Sequence, residues 1–179
     1  MAYYYLAASL PAVSLEAKPP ISREDVLRAC RGVLSETDFR DLSLVLEGRE
    51  SEATHPSMRR WRNRETQLRN AVARIRAVKA GTDPAPFQRP HTGFDVSVEQ
   101  GVAEALSQPN PLEREQALDR LRWRLAEELA LEGPFDMPAI FAFAIKLRLA
   151  ERRHGWDDDK GRETFEALVA RTMQETNHG

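Results

Sequence analysis

Apolar residues recur at intervals of three and four along most of this 179-residue chain, and prolines and glycines divide that pattern into blocks. Such spacing places the apolar side chains of each block on one face of an α-helix. The block from Met137 to His154 is apolar almost all round, so we expect a central helix that its neighbours cover. The chain is therefore predicted to be all-α, a helical bundle of about six to seven helices with helical hairpins.

Capping residues and glycines set the predicted helix ends. Ser22 and Ser35 are each followed three residues later by aspartate, an N-cap pattern, and Gly48 and Gly81 stand where a left-handed residue ends a helix. The predicted helices run from about Arg23 to Leu34, between Ser35 and Gly48, from Ser57 to Lys79, from a cap at Ser97 to Pro109, from Pro111 to Gly133, from Met137 to His154, and onward from Asp157. The sequence leaves residues 3–10 open, because tyrosine favours strands and no second strand pattern is found.

The segment from Gly81 to Val96 contains three prolines and two glycines, a composition that opposes regular structure. We expect an ordered loop that is pinned by Phe87 and Phe94. The chain is predicted to form a single helical domain over residues 1–179, and any subdomain boundary is placed within residues 81–96.

Composition limits the classes of function. Lys and Arg number 26 against 28 Asp and Glu, so the net charge of −2 gives no whole-molecule attraction to nucleic acid or an anionic membrane. The single cysteine, Cys30, excludes an internal disulfide and a Cys-rich zinc site and suits a reducing compartment. No apolar run is long enough to span a bilayer, and the N-terminus lacks the basic start of a signal peptide. A cytoplasmic location is predicted.

Reactive groups do not gather in the sequence. The four histidines stand far apart, and no glycine-rich phosphate loop, nucleophile elbow or cysteine beside a base is present. The acidic run from Asp157 to Asp159 lacks the order of ligands in a calcium loop and is interpreted as the start of a helix. We therefore expect no catalytic site, no bound metal and no cofactor.

The segment from Ser57 to Lys79 has eight basic residues and one acid, Glu65. One interpretation is a solvated face paired with acids of neighbouring helices such as Glu127 and Glu128. The other is a surface for an acidic partner protein or for nucleic acid, with Arg62, Arg69 and Arg76 forming a line along the helix. The partner-binding candidates are Arg59, Arg62, Arg69, Arg76 and Lys79. A second basic cluster, from Lys146 to Arg153, is explained by the dipole at the end of its own helix.

Three stretches of the chain resemble one small bacterial family. They are YYYLAASLP near the start, LRNAVARIRA from Leu68 to Ala77, and FAIKLRLAERRHGWDDDKGRETFEALV from Phe143 to Val169. The family is of uncharacterised function and is encoded beside bacterial V-type ATPase genes. The positions that match its pattern are Tyr4, Leu68, Asn70, Lys146, Leu147, Glu151, Arg152 and Gly161.

The resemblance implies a helical, non-catalytic component of a bacterial V-type ATPase or ATP synthase. Two roles stay open: coupling the central stalk to the membrane rotor in the place of a C (or d) subunit, or assisting assembly. The implied partners are other ATPase subunits of the central stalk or rotor ring, and the implied location is the cytoplasm, at the inner membrane through the complex. Two other hypotheses are a nucleic-acid-binding domain that uses residues 57–79, and an enzyme with a site in the Gly81 to Val96 loop.

Overall fold

The computed structural model describes residues 3–155, and in that range it is all-α, as predicted. No strand occurs between residues 3 and 155. The α-helices of this range are α1 Tyr4–Ser9, α2 Arg23–Cys30, α3 Glu36–Glu47, α4 Pro56–Ala80, α5 Val96–Ser107, α6 Pro111–Leu131 and α7 Met137–His154, and a 3-10 turn covers Ala85–Phe87. The segment that the sequence left open is thus helical. The helix predicted from Asp157 lies outside the described residues.

Most of the predicted helix ends are confirmed, because capping is a local interaction. The hydroxyl of Ser22 accepts a hydrogen bond from the Asp25 amide at 3.2 Å, and that of Ser35 accepts one from the Asp38 amide at 3.1 Å. Gly48 and Gly81 have φ of 82° and 67°, the left-handed conformation that ends α3 and α4.

Two predicted ends were wrong. Helix α2 stops at Cys30 instead of Leu34, since Gly32 has a φ of 78° that a continuing helix cannot include. Helix α5 starts at Val96, and its cap is Asp95, whose carboxylate accepts from the Ser97 amide at 2.9 Å. Aspartate caps a helix as well as serine does. Asp95 precedes Ser97 in the chain, so the helix begins earlier than predicted.

Helix α7 lies at the centre, as its sequence predicted. Ile140, Phe141 and Leu147 are completely buried, and α7 packs against α6 on one side and α3 on the other. Contacts of Lys146 with Glu127 and of Arg152 with Asp119 show that α6 and α7 form an antiparallel hairpin. Helix α5 completes the bundle by packing against both α4 and α6. None of the helices between residues 3 and 155 has the length and hydropathy to cross a membrane.

The apolar stripe of α4 drifts around the helix; in the sequence it consists of Trp61, Leu68, Val72, Ile75 and Val78. Trp61 and Leu68 are buried, but Val78 is 74% exposed and Ala77 is buried in its place. A repeat of seven residues falls about 20° short of two full turns, so a straight helix rotates such a stripe away from the core as it lengthens.

The loop between α4 and α5 is held by side-chain amides of α4 and not by its phenylalanines, which are 65% (Phe87) and 69% (Phe94) exposed. Asn70 donates to the Arg89 carbonyl at 2.7 Å and accepts from the Arg89 amide at 2.9 Å. Gln67 pairs in the same way with the backbone of Asp95, at 2.8 and 2.9 Å. A carboxamide offers one acceptor and two donors, so it can pair with a residue's backbone as a strand neighbour does.

Candidate interaction surfaces

The basic face of α4 is largely paired with acids of neighbouring helices. Arg64 contacts Glu128 at 2.8 Å and Arg76 contacts Glu115 at 3.2 Å, both on α6. The other pairs of this face join Arg60 to Glu132, Arg74 to Glu99 and Arg69 to Glu65. Glu128 was predicted as such a partner. Glu127 was predicted too, but it pairs with Lys146 of α7.

The five partner-binding candidates do not form one line. Arg69 and Arg76 are exposed, and Arg59 is exposed as well. Arg62 instead turns toward the α3–α4 connection, where it donates to the carbonyls of Ser51 at 2.7 Å and Ala53 at 2.8 Å. Lys79 donates to the carbonyl of Leu106 at 3.3 Å, at the end of α5. The seven-residue spacing therefore gives only part of the predicted cationic line.

A buried ionic network joins α4, α6 and α7. Arg122 of α6 contacts Glu65 of α4 at 3.2 Å and Asp119 at 3.4 Å, and Arg152 of α7 also contacts Asp119. Asp119 has no solvent exposure. Burial raises the pKa of Asp119, and the charges of Arg152 and Arg122 oppose that rise. The network explains why charged residues occupy positions in the interior of the bundle.

The basic cluster of α7 serves neighbouring elements more than the dipole of its own helix. Arg148 donates to the Val45 carbonyl at the end of α3 at 2.9 Å, and Arg153 contacts Glu16 at 2.7 Å. Lys146 lies 4.5 Å from the centre of the Trp123 ring. Glu151 pairs with Arg23, which donates to the Leu46 carbonyl at 2.8 Å. Two arginines thus satisfy the C-terminal carbonyls of α3.

The positions that match the family pattern fall into three groups. Leu68 and Leu147 are core residues, Asn70 holds the α4–α5 loop, and Lys146, Glu151 and Arg152 make the cross-helix contacts just described. Tyr4 lies on the surface, and Gly161 is outside the described residues.

The three N-terminal tyrosines have different surroundings. The Tyr3 hydroxyl donates to Asp38 at 2.7 Å and accepts from the Ser35 amide at 3.2 Å, which ties α1 to the start of α3. The Tyr4 ring contacts Phe135 with 4.7 Å between centroids and Tyr5 with 5.5 Å. Tyr4, Tyr5 and Phe135 are 45%, 87% and 40% exposed, and together they form what we call the aromatic patch.

A shallow, mostly apolar groove of about 310 Å³ lies among α1, the residues that follow it, α6 and α7. Ala7 lines it one turn after Tyr4, so the patch and the groove share a face of α1. Other lining residues are Leu10, Val13, Ala130, Ala139 and Phe143. The patch and the groove are therefore neighbours on the surface, and Glu127 and Lys146 also line the groove.

A larger groove, of about 520 Å³, lies between α4 and α6 on the side away from α5. We call it the α4–α6 groove. Its floor is apolar and its rim carries Arg69, Arg76 and Arg122, with Glu115 among them. The floor is formed by Leu68, Val72, Ala73, Ala77, Ala80 and Leu118. The exposed Phe87 stands at its edge.

No group of three or more His, Cys, Asp or Glu side chains that could hold a metal is found among residues 3–155. His55 begins α4, with Nδ1 accepting from the Ser57 amide at 3.2 Å, and its ring lies against Phe141. Burial raises the pKa of the Cys30 thiol to about 11, so this cysteine is protonated at neutral pH.

Residues 97–176 match the model of a family described as a protein of unknown function (DUF2764). The match covers nearly all of α5 and the whole of α6 and α7 and continues past the described residues. No curated protein and no solved structure matches the chain. From α5 onward, just under half of the chain is therefore similar to a family whose function is not known.

Proposed function

We propose that this chain is a non-catalytic component of a bacterial V-type ATPase that holds partner subunits with the surface of α1, α6 and α7. The observation that carries the proposal is the aromatic patch, in which Tyr4, Tyr5 and Phe135 remain exposed beside an apolar groove. Tyrosine is enriched among the residues that dominate binding energy at protein interfaces, and contiguous exposed apolar area marks interaction sites. Tyr4 is also a position of the family resemblance.

The ionic network supports a mechanical role for this body. Arg122 and Arg152 connect α4, α6 and α7 through Glu65 and Asp119, so three helices are joined by charged contacts as well as by the core. A stiff helical body is what a coupler between the central stalk and the rotor requires, and it is equally suited to holding subunits during assembly. In either role the protein would lie in the cytoplasm, at the inner membrane through the complex.

The test is affinity purification of the tagged full-length chain from cells that make the ATPase. We expect stalk or rotor subunits to be recovered, and we expect Tyr5→Ser and Phe135→Ser to reduce their yield at least about tenfold, which corresponds to about 1.4 kcal/mol of binding free energy. Leu112→Ser is the matched control, because Leu112 is an exposed apolar residue near the other end of α6.

Two results would overturn parts of the proposal. Recovery of no ATPase subunit after gentle lysis would remove the V-type ATPase assignment. Equal recovery with the Tyr5, Phe135 and Leu112 variants would leave the assignment and remove the aromatic patch as its site.

A further inference from the structure

A pocket of about 350 Å³ lies between the α3–α4 connection, α4 and the α4–α5 loop. Its size is within the range of sites for small ligands. We call it the arginine pocket, because Arg62, Arg69 and Arg89 all line it. Arg62 and Arg69 stand two turns apart on α4, with Thr66 between them on the same face. The arginine pocket shares no lining residue with the groove beside the aromatic patch.

The two acids that line the arginine pocket are already compensated by arginines. Glu50 contacts Arg148 of α7 at 3.0 Å. Glu65 contacts Arg69 at 2.9 Å and Arg122 of α6 at 3.2 Å. The side chains of Glu50 and Glu65 are only 17% and 11% exposed, so both carboxylates are largely withdrawn from solvent. The charge of Arg69 is thus balanced by Glu65.

Arg62 and Arg89 have no such partner, since no acid of residues 3–155 lies within 4.0 Å of either guanidinium. Arg62 donates to three backbone carbonyls of the α3–α4 connection, which fix the guanidinium but leave its charge unbalanced. Asn70 holds the backbone of Arg89 beside α4, and the Arg89 side chain is exposed. Two positive charges of the arginine pocket are therefore available to a ligand, and one of them is already held in place.

A buried hydrogen-bond donor also belongs to the lining of the arginine pocket. Trp61 is 3% exposed, and its indole Nε1 is buried without a hydrogen-bond partner among residues 3–155. Buried polar groups nearly always have a partner, so this donor favours a ligand that brings an acceptor. The unbalanced guanidiniums and the unpaired indole favour the same kind of ligand, an anion with several oxygen acceptors.

The charge of the arginine pocket favours a phosphate over a carboxylate. A phosphate monoester carries about −1.5 to −2 charges at neutral pH and has three acceptor oxygens, which matches two unbalanced guanidiniums, whereas a carboxylate has a single charge. Phe87 lines the same pocket and is 65% exposed. A ligand with an apolar or aromatic part would remove this ring from water, so the lining suits an organic phosphate more than the inorganic ion.

We propose that the arginine pocket binds a small organic phosphate monoester, with its phosphate at Arg62 and Arg89 and its organic part against Phe87. The ligand supplies the acceptor that the Trp61 indole lacks. Asn70 acts as a positioning residue, because both of its hydrogen bonds hold the backbone of Arg89. This proposal goes beyond the V-type ATPase assignment and does not depend on it.

The experiment is an NMR titration of the isotope-labelled full-length chain with phenyl phosphate. Three further compounds separate its parts: inorganic phosphate lacks the ring, benzyl alcohol lacks the charge, and phenylacetate replaces phosphate by carboxylate. We expect phenyl phosphate to shift the indole signal of Trp61 and the amide signal of Arg89. It should bind several-fold more tightly than inorganic phosphate and at least about tenfold more tightly than phenylacetate, while benzyl alcohol causes no shift.

Two arginine variants form a matched pair. Arg89→Met and Arg59→Met each remove an exposed arginine that has no acidic partner in the described part of the chain, but only Arg89 lines the pocket. We expect Arg89→Met to weaken phenyl phosphate binding at least about tenfold and Arg59→Met to leave it unchanged. The urea midpoints of both variants should equal that of the wild type. Phe87→Ser should lower the affinity for phenyl phosphate to that for inorganic phosphate.

Three results would overturn the proposal. The first is the absence of any shift with phenyl phosphate in the millimolar range. The second is equal affinity in the Arg89 and Arg59 variants, because the anion would then bind adventitiously. The third is tighter binding of phenylacetate, which would remove phosphate as the ligand class. Recovery of ATPase subunits is a separate measurement on another surface, so failure here leaves that proposal intact.

Discussion

Asp41 shows how one buried carboxylate organises a connection. It is 1% exposed, and one carboxylate oxygen accepts from the Thr54 amide at 2.7 Å and the His55 amide at 2.8 Å, just before α4 begins. Burial by itself would raise the pKa of Asp41, but the hydrogen bonds from His55, Thr54 and Arg40 outweigh it, so the pKa lies below its ordinary value. The ionised form is therefore the one that the fold stabilises.

We expect Asp41→Ala to lower the free energy of unfolding at neutral pH by about 2 kcal/mol, because buried amides lose their acceptor. The folded pKa is below the unfolded one, so this stabilisation is present above the unfolded pKa and is lost as pH falls through the folded pKa. Urea unfolding between about pH 7 and pH 3 should show a shallower acid loss for the variant than for the wild type. Glu104→Ala, at an exposed acid, is the control, and parallel acid limbs for wild type and Asp41→Ala would contradict the argument.

Gly48 is favoured by its left-handed backbone and by the close approach of Arg148, whereas Gly81 is favoured by its backbone alone. Both have left-handed φ at a helix end, but a Cβ at Gly48 would lie 2.9 Å from the Arg148 guanidinium, whereas nothing lies within 4 Å of one at Gly81. We expect Gly81→Ala to cost about 1 kcal/mol from the backbone alone and Gly48→Ala to cost about 1 kcal/mol more. Thermal or urea unfolding of the two variants gives the difference, and equal losses would show that Arg148 moves aside freely.

At the scale of single elements, α4 has three structural functions. Its apolar side chains are buried in the core, its arginines pair with α5 and α6, and Gln67 and Asn70 hold the following loop. This division explains why so polar a helix is stable within the bundle. Its polar side chains replace water with fixed partners.

The side-chain amides of Asn70 and Gln67 each hold one residue of the α4–α5 loop, so we expect their removal to have opposite effects on the two loop residues. We expect Asn70→Ala to speed hydrogen exchange of the Arg89 amide several-fold while the Asp95 amide changes little, and Gln67→Ala to do the opposite. Each clamp holds its own loop residue, and a lost hydrogen bond is worth about 1 kcal/mol. Exchange that rose at both amides in both variants would mean that the loop opens as one unit.

Nucleic acid is expected not to bind α4. Five of its eight basic residues have an acidic partner on this chain within 4.0 Å, so their charges are already compensated. Fluorescence anisotropy with labelled duplex and single-stranded DNA and RNA at about 20 mM salt measures this directly. Binding that weakened steeply as salt rose would contradict the expectation and would restore the nucleic-acid hypothesis.

At the scale of the whole molecule, the network of Glu65, Arg122, Asp119 and Arg152 acts as a connector between helices. Arg122 has only 16% of its side chain exposed and contacts acids of two helices. We expect Arg122→Met to cost about 3 kcal/mol in unfolding free energy, because two buried carboxylates lose compensating charge. Arg76→Met removes an exposed pair with Glu115 and should cost less than about 1 kcal/mol. Similar losses of unfolding free energy in Arg122→Met and Arg76→Met would show that the buried network stabilises the fold no more than an exposed ion pair does.

Helix positions were predicted better than side-chain partners. The caps at Ser22 and Ser35 and the central place of α7 followed from the sequence, because each depends on residues within one or two turns or on the total apolar content of one segment. Phe87 and Phe94 were wrongly expected to pin the loop that Gln67 and Asn70 hold. Size and hydrophobicity are visible in a sequence, whereas the fit of an amide to a distant backbone is not.

For the candidate surfaces too, the sequence indicated the residues but not their partners. The sequence singled out the N-terminal tyrosines and the basic segment, but not which tyrosine is exposed or which arginines are paired. Phe135 joins Tyr4 from more than 130 residues along the chain, and Arg148 reaches the end of α3 from 103 residues away. Nothing in the sequence marks such pairs, since their separation along the chain bears no relation to their distance in the bundle.

The sequence by itself determined that this protein is helical, where most helices begin and end, and that α7 is central, because backbone hydrogen bonding, capping and apolar spacing act within a few residues. The tertiary structure alone decided which charges compensate each other, which aromatic side chains stay exposed and where the grooves lie. Those properties depend on how helices are placed beside one another, and that placement is set by the packing of the whole core.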